Sequence, residues 1–303
     1  MLAIVCPGQG AQSPGMLTPW LELDDVRTAI AEYSEASGLD LATLGTTADA
    51  DTIRDTAVAQ PLLVATALAT YSALGSITPG VVAGHSVGEF AAAAVARVLA
   101  RKDAVSLVRT RGFAMAHAAA EAGVTSMAAV LGGVEHEVAS KLAEYGLTPA
   151  NMNGGGQVVA AGSSDAIASL MADPPAKARV IELQVAGAFH THYMVPAVAA
   201  LEEAASACTR RDPDVPLLTN ADGSVVTSGD DAVAGLVAQV ARPVRWDLCM
   251  DTMLAMDVTG IIELAPGGVL TGLAKRSMKG VPSVALKTPD DLTAALELAR
   301  NTG

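Results

Sequence analysis

The residues with the clearest chemical potential form a Gly-x-Ser-x-Gly pattern, Gly84-His85-Ser86-Val87-Gly88. A short β-branched run, Val81-Val82, precedes the pattern, and an alanine-rich stretch at residues 89–100 follows it. The order of strand, sharp turn and helix predicts a nucleophile elbow, which exposes a serine hydroxyl and aims helix N–H groups at an oxyanion. The alternative is an ordinary turn between a strand and a helix, but the flanking segments favour Ser86 as a nucleophile.

A serine hydroxyl becomes a strong nucleophile only when a positioned imidazole takes its proton. The chain has five histidines, and two of them, His190 and His192, follow a predicted strand in the segment Ala188-Phe189-His190-Thr191-His192. From the residues alone, both are candidate general bases for Ser86. The alternative for each is a surface or core histidine without a catalytic part.

Arg111 is a third residue of interest, because its helical neighbours three and four positions away are apolar, although its contrast with Arg109 is modest. These neighbours are Leu107, Val108, Ala114 and Met115. An arginine in such a patch either extends its guanidinium to water or meets an anion. The spacing alone favours extension to water.

A glycine-rich segment, Pro7-Gly8-Gln9-Gly10, directly follows the first predicted strand. Its backbone N–H groups would approach a ligand at the carboxyl edge of a sheet. The third glycine of a dinucleotide-binding fingerprint is replaced by Ser13, so nucleotide binding is disfavoured. A plain glycine-rich turn is the alternative.

Composition narrows the class of protein. The chain has 303 residues, of which 51% are hydrophobic and 3% aromatic, so its core consists mainly of Ala, Val, Leu and Met. No apolar run reaches the roughly 18 residues of a membrane span, and no signal peptide is recognised at the N-terminus. Three widely spaced cysteines, Cys6, Cys208 and Cys249, indicate reduced thiols in a cytoplasmic protein. No Cys/His spacing predicts a metal site, and the net charge of −13 argues against nucleic acid as a partner.

Strand-like and helix-like segments alternate, which predicts an α/β fold with a largely parallel sheet. The predicted strands cover residues 2–6, 81–83, 125–131, 157–161, 179–185, 215–219 and 260–264. The predicted helices cover residues 60–74, opening near Pro61, 89–100, 103–122 with Asp103 as cap, 135–145, 164–171, 195–208, 232–240 and 246–256. Residues 124–187 read as β-α-β-α-β and are interpreted as a small inserted subdomain.

Several motifs occur in one order with family-like spacing from residue 1 to about residue 299. They are Gly8-Gln9-Gly10, Gln60-Pro61, Gly84-His85-Ser86-Val87-Gly88-Glu89, Arg111-Gly112, Ala188-Phe189-His190 and Pro266-Gly267-Gly268-Val269-Leu270. As a set they resemble the malonyl-CoA:acyl-carrier-protein transacylase family, the acyltransferases of fatty acid and polyketide synthesis. The resemblance implies a large α/β-hydrolase-like subdomain with a parallel sheet, formed by residues 1–123 and 188–303. It also implies a small ferredoxin-like subdomain at residues 124–187, and it favours a monomer.

The resemblance assigns roles residue by residue. Ser86 corresponds to the nucleophile that accepts the acyl group, and His190 to its general base. The N–H groups of Gln9 and Val87 would form the oxyanion hole, and Arg111 would hold the malonyl carboxylate by a bidentate pair. Malonyl would pass from malonyl-CoA to Ser86 and then to the phosphopantetheine thiol of the carrier protein, a ping-pong reaction. The coenzyme A thioester is a substrate, and no cofactor or metal is implied.

Further positions follow from the same comparison. Gln239 matches the residue whose main-chain carbonyl orients the histidine, and Phe189 matches relatives that select malonyl over methylmalonyl. The family commonly has Asn where this chain has Arg242, so any contact made at that position is open.

Acyl carrier proteins are acidic, as this chain is, so docking requires a local basic patch. The densest basic cluster contains Lys275, Arg276 and Lys279, and we name it the basic cluster. Arg242 and Arg245 form a smaller group. The alternative for the basic cluster is a solvated helix face.

Two other classes of function fit the elbow: a serine hydrolase, and a non-catalytic carrier-binding partner in which Ser86 is a structural turn. Mixing the protein with malonyl-CoA and measuring its intact mass separates the three. We expect a stable malonyl adduct, since the ester should await a thiol acceptor. Rapid release of free malonate would indicate a hydrolase, and an unmodified chain would indicate a binding module.

Overall fold

The computed structural model describes residues 1–302, in which strands and helices alternate along the chain. The strands are β1 (Leu2–Cys6), β2 (Val81–Gly84), β3 (Thr125–Gly132), β4 (Thr148–Gly154), β5 (Gln157–Ser163), β6 (Ala178–Glu182), β7 (Leu217–Leu218), β8 (Val225–Val226), β9 (Val244–Arg245), β10 (Gly260–Glu263) and β11 (Ser283–Ala285). The α-helices are α1 (Asp24–Ser37), α2 (Leu41–Thr46), α3 (Thr56–Ala73), α4 (Gly88–Val95), α5 (Arg101–Glu121), α6 (Glu135–Glu144), α7 (Ser164–Ala172), α8 (Val195–Ser206), α9 (Gly229–Ala238), α10 (Trp246–Ala255), α11 (Val269–Ser277) and α12 (Asp291–Thr302). The predicted α/β class is confirmed.

A six-stranded sheet in the order β11-β10-β1-β2-β7-β8 forms the larger unit, and all its pairs are parallel except β7 with β8. Alternate residues of β1 enter two separate hydrophobic clusters: Ile4 packs with α3, α4 and α5, and Val5 packs with α10 and α11. Helices therefore cover both faces of the sheet, as a parallel sheet requires. The parallel pairing of β1 with β2 also brings the segments after Cys6 and Gly84 to one edge.

A second, five-stranded sheet has the order β6-β3-β5-β4-β9. Four of its strands and two helices follow one another as β3-α6-β4-β5-α7-β6, the order of a ferredoxin-like unit. The fifth strand, β9, comes from much later in the chain and pairs in parallel with β4. The subdomain boundaries at residues 124 and 187 stay a prediction, but the sheet itself extends beyond them through β9.

Strand β4 was absent from the predicted elements, so the expected β-α-β-α-β order of residues 124–187 was wrong. Its sequence contains Pro149, Asn151 and Asn153, which are residue types of low strand propensity. Pairing with β5 on one side and β9 on the other supplies the ladder that the local sequence does not indicate.

Two predicted helix starts were also displaced. Helix α3 begins at Thr56, where the Asp55 side chain accepts a hydrogen bond from the Ala57 N–H, and Pro61 lies inside the helix. Helix α5 begins two residues before Asp103, so Asp103 is in the first turn and is not the cap. Both errors arise because a residue favoured at helix starts is also accepted within the first turns.

The helices of residues 1–302 include none that is long and apolar enough to cross a membrane. The three cysteines are free thiols, with Cys6 and Cys249 buried. Burial raises the pKa of both buried thiols, and the Glu263 charge adds to the effect at Cys6.

Glu263, at the end of β10, anchors the start of α11. Its carboxylate is fully buried and accepts hydrogen bonds from the N–H groups of Gly268, Leu270 and Thr271 at 2.8–2.9 Å. These N–H groups have no partner within their own helix, and the helix dipole adds to the attraction.

Glu263→Gln should destabilise the fold, because one of the two acceptor oxygens becomes an NH₂ donor facing backbone N–H groups. We expect a loss of about 2–3 kcal/mol in the free energy of unfolding, the scale of a hydrogen bond to a buried charge. Urea denaturation measures it, with the exposed Glu297→Gln on α12 as a control that should change stability by less than about 0.5 kcal/mol. Equal stability of the two variants would contradict the anchoring role.

Candidate active site

The predicted elbow is present between β2 and α4. Ser86 adopts φ of 52°, in the left-handed region that side chains rarely occupy. A Cβ at Gly84 would lie 2.1 Å from the Gly88 backbone, and a Cβ at Gly88 would lie 2.2 Å from the Cys6 carbonyl oxygen. The two glycines of the motif therefore permit backbone contacts that no other residue allows, and the turn presents the Ser86 hydroxyl at the edge of the sheet.

His190 is the imidazole that meets Ser86. Its Nε2 lies 2.7 Å from Ser86 Oγ, and its Nδ1 lies 2.9 Å from the main-chain carbonyl oxygen of Gln239. Because a carbonyl only accepts, Nδ1 carries the proton, and Nε2 is left to accept from the serine hydroxyl. Burial, with the nearby Arg111 charge, lowers the pKa of His190 to about 3. The ring is therefore neutral at pH 7 and can take a proton from Ser86.

The second candidate base, His192, lies outside the site. Its exposed ring stacks against Tyr193 with the ring centroids 4.1 Å apart. His85 is next to the nucleophile, but its Nε2 is 2.8 Å from Asn153 Oδ1 and its ring contacts the edge of Trp246. The structure therefore places His190, and not His192, in contact with Ser86, a choice that the residues alone left open.

Arg111 is only 1% exposed, so the expectation that its guanidinium extends to water was wrong. Its Nη1 donates to Gln60 Oε1 and its Nη2 to Gln239 Oε1, each at 2.7 Å. Nη2 also lies 3.4 Å from Ser86 Oγ, and Nε has no partner among the described residues. Burial lowers the pKa of Arg111 to about 10, so the guanidinium remains charged at pH 7.

The segment after β1 brings Gln9 beside the elbow, where its side chain donates to Thr56 Oγ1 at 3.2 Å. The N–H groups of Gln9 and Val87 have no protein acceptor within residues 1–302. Free N–H groups next to a nucleophile are what an oxyanion hole requires. That role for Gln9 and Val87 stays a prediction.

A cavity of about 340 Å³ opens above Ser86 between the two sheets. Its walls include Gln9, His85, Arg111, Asn153, Phe189, His190 and the first turns of α11. Phe189 is buried in the wall beside His190. One cavity therefore contains the candidate nucleophile, the candidate base and a buried cation.

The basic cluster lies on the same helix as one wall of this cavity. Lys275 and Arg276 are exposed in the last turn of α11, Lys279 is exposed two residues after the helix ends, and Arg276 donates to Gln157 Oε1 at 2.8 Å. Gln157 also lines the cavity. Of the smaller basic group, Arg242 is exposed, whereas Arg245 is paired with Asp247 at 2.8 Å.

Three buried polar residues of the site received no role from the sequence. Gln60 holds Arg111, Asn220 Oδ1 accepts from the Ser86 N–H at 2.8 Å, and Glu89 contacts both Asn220 and Gln239. Gln60 and Glu89 were visible only as motif members, and nothing near Asn220 in the sequence marks it. Within residues 1–302, no three His, Cys, Asp or Glu side chains assemble as a metal site.

Comparisons with known proteins agree with this geometry. A family profile described as "Acyl transferase domain" matches residues 3–291. The chain is 52% identical over 297 residues to the malonyl CoA-acyl carrier protein transacylase of Mycobacterium tuberculosis (strain ATCC 25618 / H37Rv), covering 96% of this chain and 98% of that protein.

Solved structures are similar over nearly the whole chain. The crystal structure of MCAT from Mycobacterium tuberculosis superposes with a TM-score of 0.94 at 50% identity, covering 98% of this chain and 99% of that one. A type II PKS acyl-carrier protein in complex with its malonyl-transacylase gives a TM-score of 0.90 at 31% identity, with the same coverage.

The geometry predicts unequal effects for the two neighbouring histidines. His190→Ala should slow acylation of Ser86 by malonyl-CoA by about 10²–10⁴-fold, the usual contribution of a general base. His192→Ala is the matched control and should remain within about twofold of the wild type, since an exposed ring away from the site transfers no proton. Rapid-quench mass spectrometry of the acyl-enzyme measures both rates, and equal losses would leave the base unassigned.

Proposed function

The chain belongs to the acyl transferase domain family, and from this membership and the site we infer that it transfers malonyl from malonyl-CoA to acyl carrier protein. The acceptor is the phosphopantetheine thiol, and the product serves fatty acid and/or polyketide synthesis. One observation carries the inference: a buried guanidinium lies 3.4 Å from the hydroxyl of a serine that is paired with a neutral histidine. A carboxylate-bearing acyl group attached to Ser86 fits this arrangement, because it brings its own anion to Arg111.

In the first half-reaction, Ser86 Oγ attacks the thioester carbonyl while its proton passes to His190 Nε2. The oxyanion is stabilised by the N–H groups of Gln9 and Val87. The Gln239 carbonyl, 2.9 Å from Nδ1, stabilises the imidazolium in the place that a carboxylate takes in a triad. The C–S bond then breaks, and coenzyme A leaves as a thiol with the proton from His190.

The second half-reaction repeats these steps in reverse order. His190 takes the proton of the phosphopantetheine thiol, and the sulfur attacks the malonyl-serine ester. As the C–O bond breaks, His190 returns the proton to Ser86 Oγ. The enzyme ends unchanged, so the reaction consumes no cofactor and coenzyme A is only a carrier of the substrate.

Arg111 distinguishes this function from the alternatives. A simple esterase has no use for a buried cation beside its nucleophile, since the cost of burying the charge needs an anionic substrate to offset it. A non-catalytic binding module has no use for a serine and a histidine in hydrogen-bond contact. The geometry therefore favours the transferase over both.

Phe189 is proposed to select malonyl over methylmalonyl, since its ring narrows the cavity beside His190 and would crowd an extra methyl group. We also propose a cytoplasmic location, which the three free thiols support, and a monomeric state, which rests on the family resemblance alone.

Arg111→Ala should reduce the activity with malonyl-CoA but not the activity with acetyl-CoA. Malonyl-CoA should lose about 30–1000-fold in kcat/KM, because a charge-assisted pair in a dry pocket contributes roughly 2–4 kcal/mol. Acetyl-CoA has no carboxylate and should react about as fast as with the wild type. Initial rates with both donors measure the preference, and a wild type that transferred malonyl and acetyl equally would refute the carboxylate contact.

Docking of the acidic carrier protein is proposed at the basic cluster on α11. Lys275→Glu with Arg276→Glu should raise the KM for the carrier protein about tenfold at low salt, because rim charges act mainly on association. The first half-reaction should be nearly unchanged. Added salt should weaken the wild type and narrow its difference from the variant.

Lys102→Glu with Arg300→Glu serves as the control, since it reverses two exposed charges that do not line the active-site cavity. This variant has the same net charge as the first, so it should show only the general effect of added negative charge. If the two double variants raised the KM equally, the docking site would lie elsewhere, and Arg242 would be tested next.

A further inference from the structure

Glu89 is a buried carboxylate that the reaction as described does not use. It lies in the first turn of α4, three residues after Ser86, and is 6% exposed. Its Oε1 accepts from the Asn220 N–H at 2.7 Å, and its Oε2 accepts from Gln239 Nε2. Burying a carboxylate without a cation in contact lowers the stability of the fold. We therefore ask what the two contacts of Glu89 do for the site.

The Gln239 side chain lies between this carboxylate and the guanidinium of Arg111. Its Nε2 faces only acceptors: Glu89 Oε2, the Ser86 carbonyl oxygen at 2.9 Å and Asn220 Oδ1 at 3.5 Å. Its Oε1 faces a donor, Arg111 Nη2, at 2.7 Å. An amide has one donor end and one acceptor end, so these neighbours determine its orientation.

The consequence for Arg111 is that its hydrogen-bond partners are all neutral oxygens, those of the Gln60 and Gln239 amides and, at 3.4 Å, the Ser86 hydroxyl. Among residues 1–302, no carboxylate forms an ion pair with this guanidinium. A carboxylate placed directly on the guanidinium would neutralise it and compete with the substrate. Because the Gln239 amide lies between Glu89 and Arg111, the guanidinium is aligned without a carboxylate in direct contact, and the Glu89 charge acts on it only at longer range.

We propose that Glu89 is a positioning residue for substrate selection, whose carboxylate orients the Gln239 amide so that Gln239 Oε1 holds Arg111 ready for the carboxylate of the acyl group. The proposal rests on the proposed function and adds a residue to it. Glu89 contacts neither the substrate nor the reacting atoms. It acts through Gln239, whose main-chain carbonyl also orients His190.

Glu89→Gln tests the role with almost no change of shape. The new amide has a single oxygen, so it accepts from the Asn220 N–H or from Gln239 Nε2, but not from both. Either the fixed backbone N–H of Asn220 meets a donor, or Gln239 rotates and turns a donor toward Arg111. The backbone N–H of Asn220 cannot turn away from a donor, whereas the Gln239 side chain can rotate, so we expect the second arrangement, in which the guanidinium loses its alignment.

The measurement is kcat/KM for acylation of Ser86 by malonyl-CoA and by acetyl-CoA, followed by intact mass at pH 8. Burial raises the pKa of Glu89 to about 7, so at pH 8 the wild-type carboxylate is ionised. The ratio of malonyl to acetyl kcat/KM should fall about 10–100-fold in Glu89→Gln, the scale of a lost hydrogen bond to a charged group. The fall should come mainly from a raised KM for malonyl-CoA.

Thr66→Val is the matched control. Thr66 is fully buried on α3, and its hydroxyl donates only within its own helix, to the Leu62 carbonyl. Its loss disturbs the core without touching Gln239 or Arg111, so the malonyl-to-acetyl ratio should stay within about twofold of the wild type.

A merely structural Glu89 would lower both rates together and leave the ratio unchanged, and that result would overturn the proposal. If Glu89→Gln does not fold, Glu89→Asp is measured instead. Its shorter carboxylate cannot reach both Asn220 and Gln239, so the same loss of selectivity is expected, and an unchanged ratio again overturns the role. A wild type that forms no malonyl ester would instead refute the proposed function.

Discussion

A buried guanidinium without a carboxylate in contact is the constraint around which this protein is arranged. Removing a charge from water is costly, and natural proteins usually offset the cost with an opposite charge. The cost of burying Arg111 is offset only partly, by the amide oxygens of Gln60 and Gln239 and, at longer range, by the Glu89 charge. In the function proposed above, the carboxylate of the acyl group supplies the missing negative charge, so part of its affinity comes from the cost of burying Arg111 in the folded chain.

Gln239 connects this constraint to the chemistry of the elbow. Its main-chain carbonyl sets the tautomer of His190, and its side chain binds Arg111 and the Ser86 carbonyl. The residue follows the last residue of α9 and begins a one-turn 3-10 helix, and its carbonyl accepts from the Arg242 N–H at 3.2 Å as well as from His190 Nδ1. One residue thus connects His190 to Arg111, the proposed binding group for the acyl carboxylate.

The sequence predicted the parts of the site that depend on local geometry. The Gly-x-Ser-x-Gly spacing predicted the elbow because the close backbone contacts at Gly84 and Gly88 permit only glycine. Contacts between residues that are distant in the sequence could not be predicted from local patterns. Helical spacing gave the wrong surroundings for Arg111, because those are set by Gln60 and Gln239, which lie 51 and 128 positions away. The choice between His190 and His192 rested on the family resemblance alone.

The same limit explains the errors in the fold. Alternation of apolar segments was sufficient to predict the α/β class and the central strand β1. Strand β4 was missed because its asparagines and proline disfavour a strand locally, whereas its pairing with β5 and β9 is non-local. Those asparagines have a use that propensity does not describe: Asn151 and Asn153 line the cavity, and Asn153 contacts His85.

The two-residue strand β9 gives the molecule a mechanical property. On one side it pairs with β4 of the second sheet, and on the other the Arg245 N–H donates to the Asn220 carbonyl oxygen at 2.8 Å. Asn220 in turn holds the Ser86 N–H through its side chain. A continuous chain of hydrogen bonds therefore runs from one sheet, through a short rung, to the nucleophile. Such a rung resists hinge-like opening of the cleft, so it ties the position of the nucleophile to that of the second sheet.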